Sequence, residues 1–159
     1  MPMIDLTMPR GALDTDAKAG LMRELTHTLL KWEGATPGNE AAESIAWTFV
    51  HEPELVTVAG RPSELPRYRV VVGVPEGSLD DRTREGLVVE VTDQVLRAES
   101  GGKEPAPADA RRVWVIVNEI PDGHWGGGGH IVRLADIMTF AGASEQEILR
   151  RTSRIRATA

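Results

Sequence analysis

Short runs of β-forming residues alternate along this chain with longer stretches in which apolar residues recur every four positions. Residues 3–8 (Met-Ile-Asp-Leu-Thr-Met) and 69–74 (Arg-Val-Val-Val-Gly-Val) each stop at a Pro-x-Gly turn, a pattern that predicts two opening strands. Each is followed by a stripe at helical spacing: Leu21, Leu25 and Leu29 in the first case, Leu87, Val91 and Val95 in the second. Asp14 and Asp80 stand just ahead of the stripes, where a carboxylate accepts hydrogen bonds from the unpaired amides of a first helical turn. Polar loops, Gly34 to Asn39 and Gly101 to Pro107, end the helices, and Ile45 to Val50 and Val113 to Val117 read as second strands.

The two halves are copies of one pattern. A slide of 66 positions puts Pro9 on Pro75, Gly11 on Gly77, Asp14 on Asp80, Gly20 on Gly86, Glu24 on Glu90 and Leu30 on Leu96. One more position of slip puts Trp47 on Trp114, Val50 on Val117 and Glu52 on Glu119. Two strands joined by a helix within roughly 50 residues form a parallel pair with a right-handed crossover. Segment 53–67, with Pro53, Gly60, Pro62 and Pro66, reads as the linker between the units. Two helices shield one face of a sheet, so apolar residues on the other, Val71 or Val115 according to register, call for a further partner, most economically a second copy.

The 159 residues suffice for one domain with a core or two small fused units. A formal charge of −6 argues against nucleic acid as a partner. The absence of cysteine removes disulfides, thiolate metal sites and thiol nucleophiles together. No apolar run approaches 18 residues and no basic segment precedes an apolar one at the start, which points to a cytoplasmic protein without a membrane span. His124 and His130 lack carboxylate or thiolate companions at ligand spacing, so no metal site is expected. Gly126 to Gly129 lack the Lys-Ser/Thr of a phosphate loop and fit instead a hairpin whose backbone passes close to a ligand.

Two stretches carry a resemblance to a known family. The opening Met1-Pro2-Met3-Ile4 and the run Val113-Trp-Val-Ile-Val-Asn-Glu-Ile-Pro-Asp-Gly-His-Trp-Gly-Gly-Gly-Gly resemble the tautomerase superfamily, the second run matching the strand and hairpin of 4-oxalocrotonate tautomerase. Two units in one chain are similar to the fused cis-3-chloroacrylic acid dehalogenase-like and malonate semialdehyde decarboxylase-like members. The resemblance implies an α/β (α+β) fold with a four-stranded mixed sheet and two helices on one face. It implies a single domain over 1–159, with pseudo-repeats at 2–52 and 68–130 and a C-terminal extension at 131–159. It further implies a cofactor-independent homotrimer that moves a proton on a small 2-oxo acid or related carbonyl compound, with Pro2 and His124 as the catalytic residues. The alternatives are hydration, dehalogenation or decarboxylation of a three-carbon acid by the same proline, or a silent oligomeric scaffold. Trp125 matches the hairpin aromatic, and His124 falls near the place of a water-activating carboxylate in the dehalogenase-like members. The family's substrate-binding arginines fall on Ala12, Ser78, Trp47 and Trp114, none of them cationic.

The chemistry of a free N-terminal proline fits this role. An α-amino group has a pKa near 7.7–8.0, and an apolar pocket disfavours its cation, leaving a neutral base at pH 7. Such a base takes a proton α to a carbonyl and returns it at another carbon, whereas the protonated amine serves as a general acid. Both require removal of Met1, since an acylated proline nitrogen is an amide. Arg112 lies two residues before Trp114 on one face of a strand and could hold a substrate carboxylate, as could Arg69 beside Tyr68, the one tyrosine in the chain. Trp114 and Trp125 are expected to line an apolar pocket. Glu52 and Glu119, equivalent in the two halves, suggest structural acceptors of backbone amides, and Glu40 a solvated loop charge. Ser144 and Glu147 form a capping-box pattern ahead of a basic helix with Arg150, Arg151, Arg154 and Arg156, read as an oligomer-packing or surface helix.

Overall fold

The computed structural model describes residues 2–158, with side chains as far as Ile155. Met1 and the side chain of Arg156 lie outside the described residues. In chain order the elements are β1 (Met3–Thr7), α1 (Thr15–Trp32), α2 (Glu40–Ser44), β2 (Trp47–His51), β3 (Thr57–Val58), β4 (Arg61–Pro62) and β5 (Tyr68–Pro75). These are followed by α3 (Asp81–Glu99), a 3-10 turn (Pro107–Arg112), β6 (Val113–Ile120), β7 (Trp125–Gly127), β8 (His130–Val132), α4 (Leu134–Phe140) and α5 (Glu145–Thr158).

The main sheet has the order β2-β1-β5-β6. β1 pairs with β2 and β5 with β6 in parallel, and the two units meet along the antiparallel β1–β5 pair. Both helices begin where an aspartate caps them, Asp14 accepting from the Ala17 amide at 2.8 Å and Asp80 from the Thr83 amide at 2.9 Å. Both apolar stripes are buried, and they meet Ile4 and Leu6 of β1 and Val70, Val72 and Val74 of β5 in one core. Each helix also ties down the end of its own second strand, Lys18 holding Glu52 at 2.7 Å and Arg84 holding Glu119. These carboxylates thus hold helix cations rather than backbone amides.

The register resolves the choice between Val71 and Val115. Val115 packs with the helices, whereas Val71 pairs with Ile116 on the opposite face. That outer face leaves Trp47 63 % and Trp114 71 % exposed, with Phe49 and Ile116 beside them. The second strand of the first unit starts at Trp47, two residues later than its pattern suggests, because Asn39 caps the short helix α2 and Ile45 closes it. The linker carries the small β3–β4 hairpin. Among the described residues no helix is long and apolar enough to cross a membrane.

Candidate active site

Pro2 is buried at the start of β1, its carbonyl accepting from the Trp47 amide at 3.1 Å. It lines a cavity of about 130 Å³ whose walls come from the C-terminal end of α1, from α2, from the turn after β5, and from α4 and α5. Leu30, Ile45, Leu134, Ile137 and Met138 make most of this lining apolar, and Glu33, Ser78, Glu147 and Arg151 supply its charge and polarity.

Local backbone chemistry places each polar group. Glu33 is the C-cap of α1, and Gly34 follows with a φ of +80°, the Gly34 amide bonding to Lys31 O and the Ala35 amide to Leu30 O. This paired closure of a helix end needs a residue free to adopt positive φ, which is why glycine stands there. The closure turns Glu33 into the cavity, where burial pushes its carboxyl up to about 7, partly opposed by the charge of Arg151. Ser78, buried, sits in the turn after β5, its amide bonded to Pro75 O at 3.1 Å. Gly77 in that turn has a φ of +82°, and a side chain there would come within 3.1 Å of Ile155 Cγ1 and 3.3 Å of Arg151 O. The C-terminal helix is therefore seated directly on the β5 turn. Asn39 closes the far wall, its side chain donating to Ala141 O at 2.7 Å and accepting from the Ala42 amide at 3.0 Å.

The opposite end of the sheet carries a related arrangement. Tyr68 takes the place of Pro2 in the repeat and Glu99 that of Glu33. Tyr68 is buried beside Glu99, and burial together with that carboxylate pushes its phenol above the ordinary range. Arg112 grips Glu99 through both terminal nitrogens and also donates to Asp109 Oδ1 at 3.2 Å and Pro66 O at 3.1 Å. A larger cleft of about 520 Å³ lies over this end, lined by Tyr68, Arg69, Arg112 and Trp114 among others.

The structure thus gathers four of the seven residues singled out from sequence, Arg69, Tyr68, Arg112 and Trp114, at one end, with Pro2 at the other. Because Met3 pairs with Gly73 and Thr7 with Arg69, the Tyr68 end lies beyond Thr7, roughly 20 Å along β1 from Pro2. Trp125, on the β7–β8 hairpin, lies over Gly73 next to Met3, on the outer face near the start of β1. His124 is exposed in the turn before β7, its amide bonded to Pro121 O at 2.9 Å. Glu40 is an exposed residue of the first turn of α2. The amino-acid pattern did not single out Glu33, and it marked Arg151 only as part of a basic helix. The repeat register held a signal for Glu33, since it superposes on Glu99 at a second helix end. The basic helix does form, with the Glu147 amide on Ser144 Oγ at 3.3 Å, and one side of it faces the Pro2 cavity.

The mixed sheet and the paired β-α-β units form a tautomerase/MIF-like α+β fold, at a size that fits a fused two-unit form. Among solved structures, the chain is similar to N1, a member of the cis-3-chloroacrylic acid dehalogenase family, at 15 % identity and a TM-score of 0.67, over 95 % of this chain and 99 % of that one. It is also similar to Pt0534 inactivated by 2-oxo-3-pentynoate (19 % identity, TM-score 0.64, 81 % of this chain and 94 % of the other). The R7 fused 4-OT asymmetric trimer matches at 17 % identity with a TM-score of 0.63, over 81 % of this chain and 94 % of that one. No family model and no curated protein matches the sequence.

Proposed function

We propose that the chain is a cofactor-independent tautomerase of a small 2-oxo acid or related carbonyl compound, working as a homotrimer with Pro2 as its base. The observation that carries this reading is a buried proline lining a small, largely apolar cavity that also holds a carboxyl whose pKa burial raises to about 7. With Met1 removed, the apolar walls favour the neutral amine, which takes the proton from the carbon α to the carbonyl. Glu33, protonated over much of the range below pH 7, is suited to hydrogen-bond the carbonyl oxygen as negative charge grows on it. The trimer rests on the uncovered apolar face with Trp47, Phe49, Trp114 and Ile116, and on trimers among proteins of similar fold. Arg69 and Trp114 are exposed at the far end of the sheet and would meet Pro2 only across an interface of such an assembly, Tyr68 and Arg112 are buried within their own unit, and Trp125 lies near the start of β1.

Glu33 also favours a second reading. Above pH 7 it is a carboxylate lining a cavity that water can enter, able to activate water for addition to a three-carbon acid with Pro2 as the general acid.

An acetylenic 2-oxo acid, 2-oxo-3-pentynoate, tests the proline. A neutral amine adds to the alkyne carbon remote from the ketone: the N–C bond forms, one π bond breaks, and the amine proton ends on the adjacent carbon. The expected result is one adduct per chain, mapped to the nitrogen of Pro2 in a protein that lacks Met1, and abolished at that position by prior acetylation of the amine. An adduct confined to other residues, or none, overturns the reading.

A further inference from the structure

We infer that the groove between the start of α1 and the end of α3 is a second small-molecule site, one that takes a flat aromatic ligand with an N–H donor, of the indole type. It lies on the helix side of the sheet, apart from the Pro2 cavity, and nothing in the inference depends on the proline.

The observation that carries it is a broken symmetry of the repeat. The slide of 66 positions puts Gly20 on Gly86, Glu24 on Glu90, Thr28 on Gln94, Lys31 on Arg97 and Trp32 on Ala98. Gln94 donates to Thr28 Oγ1 at 2.7 Å, so the two helices meet at counterpart residues and present two counterpart slots, one on either side of that contact. The chain itself fills the first slot. The ring of Trp32, at the end of α1, lies so close on Gly86 of α3 that a Cβ there would stand 2.6 Å from Cζ2 and 2.8 Å from Cζ3. The indole N–H donates to Glu90 Oε2 at 2.9 Å, and Lys31 Nζ, which bonds the same carboxylate, stands 5.0 Å from the ring centroid. A glycine floor, a carboxylate acceptor and a cation over the ring together hold an indole.

The second slot keeps these parts and lacks the ring. Gly20, Glu24, Arg97 and Ala98 line an open groove of about 370 Å³, within the range of about 300–1,000 Å³ usual for small ligands. Outside its own turn of α1, nothing lies within 4 Å of the place a Cβ on Gly20 would take. Ala17 and Ala98 pack against the main core, so a ring seated there covers apolar surface. Arg97 is fixed at the rim by Asp93 at 2.6 Å and Glu104 at 2.7 Å, whereas the Glu24 carboxylate has no hydrogen-bond or ion-pair partner among the described residues. A single-ring slot with charge around its rim suits a free ligand, since the centres of protein interfaces are depleted of charged residues.

The test is an NMR titration of the whole protein with indole and with benzofuran, which has the same shape and an oxygen in place of the N–H. Indole is expected to bind with a Kd below about 1 mM, shifting the amides of Gly20, Ala98 and Gly101 most. It should bind about 3- to 20-fold more tightly than benzofuran, the range of one hydrogen bond to an exposed carboxylate. Glu24→Ala should bring indole down to the benzofuran level and leave benzofuran unchanged. Ala98→Trp restores the missing ring, and should abolish indole binding while raising the unfolding midpoint by about 2–5 °C. Gly20→Leu fills the same space from the opposite wall and should abolish binding in a second way. N-acetyltryptophanamide should bind more weakly than indole, because its main chain has to stand at the charged rim. Unshifted amides at millimolar indole, equal affinities for indole and benzofuran, or binding that survives Ala98→Trp and Gly20→Leu would overturn the site. Shifts confined to the Pro2 cavity or to the face of Trp47 and Trp114 would do the same. Tighter binding of N-acetyltryptophanamide would overturn the free ligand in favour of a tryptophan on a protein partner.

Discussion

At the Pro2 end of the sheet Glu33 closes α1 beside a cavity of about 130 Å³, while at the other end Glu99, its counterpart in the repeat, finishes α3 in the grip of Arg112. The same carboxylate, set at the same point of a β-α-β unit, is neutralised in two different ways. Arg112 directly precedes β6, so the second unit brings its own cation, which bonds Glu99, Asp109 and a backbone carbonyl and stays buried. The first unit has no arginine in that place. Its Glu33 instead feels the charge of Arg151, delivered by a helix appended after both units, and both side chains line the cavity. The comparison teaches that duplication produced two similar ends and that the chain spent one on cohesion and kept the other accessible.

The largest effect expected from breaking this comparison comes at the closed end. Arg112→Met leaves Glu99 buried without its partner and should cost about 3–5 kcal/mol in denaturant unfolding, whereas Arg151→Met, at a cavity where water can solvate what remains, should cost well under half of that. Equal losses would show that the two ends are energetically alike. Glu33→Gln comes next. Because the folded-state value of Glu33 is raised from 4.5 to about 7, the folded protein holds a proton that the unfolded chain releases, so stability is highest below pH 4.5 and falls as pH rises to about 7. The loss is on the order of 3 kcal/mol. Glu33→Gln should remove that slope, seen as a smaller change in unfolding midpoint between pH 5 and 8, while Glu99→Gln should destabilise at both pH values. The smallest effect is that of Gly77→Ala, which forces a side chain into a left-handed turn against α5 and should cost about 1–2 kcal/mol. Faster amide exchange confined to α4 and α5 would mark the loosened wall of the cavity.

Much of this frame was legible in the amino-acid pattern. The strands, the capping aspartates and the stripes of Leu21, Leu25, Leu29 and Leu87, Val91, Val95 depend on local spacing, and all six stripe residues are buried. Pro2 and the hairpin carried the likeness to a superfamily of the same fold. Segment 40–44 was harder, since one turn of helix owes its existence to Asn39 bonding to α2 and α4 at once. The pairing of Arg112 with Glu99 joins the 3-10 turn ahead of β6 to the end of α3, and period-two reasoning about Arg112 and Trp114 does not apply where Arg112 stands outside the strand. Arg151 was legible only as part of a basic helix, because its role depends on where the tail folds back, and Gly77 and Gly34 reveal that only once the distances to α5 are known.

The central claim is that the Pro2 amine is the reactive group of the open end, and a pH–rate profile tests it most directly. The rate at which untagged protein, checked by intact mass for the absence of Met1, ketonises an enol 2-oxo acid should rise with an apparent pKa below the ordinary amine range of about 7.7–8.0. Pro2→Ala should lower that rate by about 10²- to 10⁴-fold without changing the oligomer. A protein that retains Met1, or a profile and rate unaltered by Pro2→Ala, would contradict the account.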